Sequence, residues 1–61
     1  MGKKALRKRV ESLLERVREH ELKIRNEKAK SQPDYGLIRH WETEIAAFDI
    51  SIGRAEKRLL P

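Results

Sequence analysis

This chain contains no cysteine. A disulfide staple and a cysteine-based zinc site are therefore both excluded. Glycine is scarce and scattered, at Gly2, Gly36 and Gly53, so there is no glycine-rich loop to cradle a phosphate. Ser12, Ser31 and Ser51 lack the His–Asp setting that nucleophilic catalysis needs. No Glu-x-x-His pair is present, as a di-iron helical bundle would require. No stretch approaches the ~20 apolar residues of a membrane span. No apolar segment has the form of a secretory signal. These absences lead us to expect a cytoplasmic protein with no enzymatic activity, no metal, no cofactor and no membrane association.

Proline is also rare, with only Pro33 and Pro61. Pro33 is the one strong breaker in the interior, and it stands near the middle of 61 residues. A proline inside a helix loses a hydrogen bond and clashes with the preceding turn. The residue before it is pushed out of helical geometry. The stretch Ser31-Gln32-Pro33-Asp34 therefore predicts one helix over about 3–30 and a second over about 33–59. Pro33 is expected in the first turn of the second helix. Ser31 and Asp34 are spaced as a capping box, with Asp in place of Glu. A single long helix kinked at Pro33 is the competing reading.

The apolar residues recur with helical spacing. In the first half Leu6, Val10, Leu13, Val17 and Ile24, with His20, follow a heptad seam. In the second half Ile38, Trp41, Ile45, Phe48, Ile52, Ala55 and Leu59 repeat it. Folding the chain at residue 31 pairs positions whose numbers sum to 61 or 62. Ile24 then faces Ile38, His20 faces Trp41, and Leu6 faces Ala55. The expected architecture is all-α, an antiparallel two-helix hairpin forming one domain over residues 1–61. Trp41 and Phe48 fall on the core face, so packing is their expected role, and Tyr35 is the aromatic expected in solvent. His20 is expected as a satisfied seam histidine, and His40 as a solvated one. Across the seam, Arg16 should meet Glu44 and Arg7 should meet Glu56.

Two helices enclose a line rather than a core. Leu14 and Leu37 flank the seam, while Ala46, Ile50 and Gly53 add a strip of mostly small residues. These five positions are the candidate self-association surface. A homodimeric four-helix bundle is the expected assembly, because a hairpin this small is marginal alone.

Charge is the most informative functional signal. Residues 1–30 hold eleven Lys/Arg against five Glu, and residues 31–61 hold four against five acids. A hairpin brings the chain ends together. Lys3, Lys4, Arg7, Lys8 and Arg9 then join Arg54, Lys57 and Arg58 at one pole. Cations at a helix N-terminus oppose its dipole, at about 0.3–1 kcal/mol each. Placing them there against local preference points to an anionic partner, DNA or RNA, met mainly through phosphates. The bland alternative is solubility, which also favours a net charge away from zero. The alternative function is a protein–protein adaptor, chaperone or assembly subunit whose hairpin packs on a partner protein.

Overall fold

The computed structural model describes residues 2–60. Helix α1 spans Gly2–Lys28 and α2 spans Tyr35–Leu59. The two pack along their whole length as a hairpin 48 Å long and 14 × 12 Å across. Among the described residues, none has a positive φ and no peptide bond is cis. The chain therefore reverses without a glycine cap or a proline isomer.

The reversal at 29–34 is longer than the proline alone implied. Helix α1 ends two residues before Lys30, and α2 begins two residues after Pro33. Ser31 is not the cap. Asp34 is, with extended backbone (φ −88°, ψ 98°) and a side chain that accepts the Leu37 N–H at 3.1 Å. A cap accepts from the third helical residue, and the Asp34–Leu37 spacing supplies that. Pro33 consequently sits just before the cap rather than in the first turn. At the other end the helix tightens. Ala29 N–H reaches Arg25 O, and Lys30 N–H then takes the shorter step to Glu27 O.

The interior is thin. Among the described residues, the buried apolar side chains are those of Ile38, Ile52 and Ala55, and no side chain is fully enclosed. Leu6, Val10, Leu13, Val17, Ile24, Trp41, Ile45, Phe48 and Leu59 are half-buried. The seam is thus the one read from the sequence, with one side of most members open. Leu22, Tyr35, Ile50 and Leu60 are 55–70 % exposed.

Candidate nucleic-acid interface

The pole is built from the first turns of α1 and the last turns of α2. All eight predicted contact residues, Lys3, Lys4, Arg7, Lys8, Arg9, Arg54, Lys57 and Arg58, are exposed. They do not share one surface. Arg9, Arg54 and Arg58 line a recess of about 180 Å³, floored by Leu6 and Ala55 and edged by Ser51. Lys8 instead borders a separate recess on the outer side of α1, with Glu11 and Glu15. Arg7 is two residues from Arg9, about 200° around the helix, so it points away from the arginine recess. The α1 first turn contains no acidic residue to offset Lys3 and Lys4, whereas Lys57 and Arg58 suit the negative end of α2.

The expected self-association surface also divides. Ala46, Ile50 and Gly53 occupy one side of α2. Leu37 is nine residues from Ala46, about two and a half turns, and so lies on the opposite side. Leu14, Leu37 and Ile50 are 40 %, 37 % and 60 % exposed. A methyl group added at Gly53 would meet nothing within 4 Å.

Electrostatic contacts gather at two other places. At mid-hairpin, His20 Nδ1 donates to the Arg16 carbonyl at 2.9 Å, and Nε2 lies 2.7 Å from Glu44 Oε2. Both ring nitrogens therefore face oxygen atoms. The ring also meets Phe48 edge-on, with centroids 5.2 Å apart. These partners lie one and two turns beyond the Trp41 assigned by register. Helical side chains lean toward the N-terminus, and the bond to Arg16 O holds His20 in that lean. Glu44 takes His40 on its other oxygen, so His40 is exposed but not unpaired. Arg16 borders the same recess as Glu44 without forming an ion pair. The expected Arg7–Glu56 pair is likewise not among the ion pairs of the described residues.

The second place is the turn, and sequence reasoning missed it. Glu27 is buried at 6 % exposure. One carboxylate oxygen accepts Lys30 Nζ at 2.9 Å, and the other accepts the Asp34 N–H at 3.0 Å. A signal was present, since Glu27 is the next heptad position after Leu13 and His20.

Both carboxylates titrate below the ordinary glutamate value. Glu27 is held down first by the Lys30 hydrogen bond and then by the Asp34 N–H. Glu44 is held down first by the His20 hydrogen bond. A folded pKa below the unfolded one contributes stability above the unfolded value, and that stability is lost as pH falls through the folded one. Helical ellipticity should therefore decline on acidification below about 4.5. An E27Q/E44Q double variant should have a flatter acid limb. Superimposable acid titrations would remove these two groups as the cause.

Among the described residues, no three His, Asp or Glu side chains cluster as a metal site would need. No helix is long and apolar enough to cross a membrane. No protein-family model matches the chain, and neither a curated protein nor a solved structure matches it.

Proposed function

We propose that this chain is a small non-enzymatic helical module that binds nucleic acid through its basic pole and works as a homodimeric four-helix bundle. The observation that carries the nucleic-acid reading is the pole itself. Arg9 from α1 and Arg54 and Arg58 from α2 line one recess there, and none of the three is in an ion pair among the described residues. A charge cluster kept for intramolecular balance would be expected to face carboxylates. Phosphates reward each cation by releasing counterions, so binding should be strongly salt-dependent and weakly sequence-dependent. An electrophoretic shift with short DNA and RNA duplexes and single strands tests this. With three to five phosphate contacts, log K should fall with log salt at a slope of roughly −2 to −4.5. No shift with any of these nucleic acids at low salt would end the reading.

Surface area supports the assembly. The hairpin exposes 5281 Å². A compact monomer of 7.2 kDa would expose about 4,100 Å². Two chains each covering roughly 800 Å² would form an interface of ordinary size. Sedimentation should give twice 7.2 kDa. Gly53 adds a test of the packing side. With open space around it, Gly53→Ala should stabilise a lone hairpin by about 0.5–1 kcal/mol through helix propensity. If a second copy packs on the Ala46–Gly53 strip, the same change should weaken dimerisation instead. A folded monomer at high concentration, stabilised by Gly53→Ala, would overturn the bundle.

The adaptor reading draws on the exposure of Ile50 and Leu14. A co-purifying protein retained after nuclease treatment would favour it.

A further inference from the structure

We infer that Arg9, Arg54 and Arg58, together with Ser51, form a seat for a single phosphate group. For the source of that phosphate we rely on the nucleic-acid reading, whereas the seat stands on its own geometry. Arg54 and Arg58 are four residues apart and stack along one side of α2. Arg9 reaches the same recess from α1. Like charges at this spacing on a helix are mutually unfavourable, and here a third cation is added from the facing helix. Three other recesses along the hairpin each include a glutamate on the rim. The arginine recess includes none.

Ser51 supplies the remaining donor. It is half-buried on the rim, and its hydroxyl takes part in none of the side-chain hydrogen bonds of the described residues. Thr43, by contrast, donates back to the Arg39 carbonyl. A free hydroxyl and three guanidinium groups over an apolar floor match an oxyanion with several acceptor oxygens. Guanidinium presents paired donors that fit phosphate in a bidentate way, which an ammonium group cannot do. The seat therefore predicts that arginine, and not only positive charge, is required. Lys3, Lys4, Arg7, Lys8 and Lys57 would add diffuse attraction around it.

The test uses the full chain labelled with nitrogen-15. Inorganic phosphate is titrated against chloride at constant ionic strength while the arginine Nε–Hε signals are followed. Saturable shifts confined to Arg9, Arg54 and Arg58 are expected. A short single-stranded oligonucleotide should move the same signals, and phosphate should compete with it. The triple variant R9K/R54K/R58K keeps the net charge. It should lose about tenfold in phosphate and oligonucleotide affinity, with the salt slope changed by less than one. Ser51→Ala should lose a few-fold, and serves as the second variant if the triple variant fails to fold by circular dichroism. Unsaturable shifts spread over all arginines, or a triple variant that binds like the parent, would overturn the seat while leaving diffuse nucleic-acid binding intact. Saturable phosphate binding with no oligonucleotide binding would uphold the seat, point to a small phosphorylated ligand, and remove the nucleic-acid reading.

Discussion

Ile52→Ala should leave the chain largely unfolded at 37 °C. The side chain is one of three buried apolar groups among the described residues, with Ile38 and Ala55. Truncating a buried isoleucine to alanine costs about 2–5 kcal/mol through lost transfer energy and an unfilled cavity. A core of this size rarely contributes more than about 3–5 kcal/mol in total. The two magnitudes are comparable, so there is little reserve to absorb the loss. Ile52→Val, at about 0.5–1.5 kcal/mol, should fold with a lowered thermal midpoint. Ile38→Ala should behave like Ile52→Ala, because the two are similarly buried. Thermal unfolding followed at 222 nm is the measurement. If the native state is a dimer, all these midpoints should rise with protein concentration. A concentration-independent loss of only a degree or two in Ile52→Ala would mean that the seam does not hold the hairpin together.

Glu27→Ala should produce the second large effect, for a different reason. Glu27 joins the end of α1 to Lys30 and to the backbone of the α2 cap, fixing both ends of the turn from one buried carboxylate. Removing it leaves the Asp34 N–H without its partner and frees the 29–34 segment. A fall in thermal midpoint on the order of 5–10 °C is expected for a domain this small. Glu27→Gln keeps an acceptor for the Asp34 N–H but loses the attraction to Lys30, so it should fall between the parent and Glu27→Ala. Equal midpoints for all three chains would show that the turn is positioned by Pro33 and Asp34 alone. The pair of variants also separates hydrogen bonding from charge, since only Glu27→Gln retains the side-chain length.

The hairpin was legible because its determinants are local or periodic. Pro33 breaks any helix that reaches it, whatever the rest of the chain does, and the heptad spacing of Leu6 through Ile24 and Ile38 through Leu59 specifies two facing stripes. The cap was only partly legible, because two candidates stood three residues apart. Backbone geometry at the turn selected Asp34, whose oxygen reaches Leu37, and left Ser31 outside the helix. Register arithmetic placed His20 on the right stripe but one to two turns short of its partners Glu44 and Phe48. It could not foresee the lean of the ring toward Glu44 and Phe48, which depends on side-chain direction rather than on position along the axis.

By itself, the sequence determined that there are two helices, where the chain reverses, which stripe each helix buries, and that one end is rich in cations. These follow from helix pitch, proline chemistry and a count of charges, none of which needs a neighbour in space. Tertiary structure alone decided which cations meet. It separated Arg9, Arg54 and Arg58 from Lys8 and placed Ser51 beside the three arginines. It also made the buried Glu27 the clasp of the turn. The physical reason is the same in each case. Where a side chain lies around its helix becomes a shared surface only when a second helix is set against it at a definite angle and height.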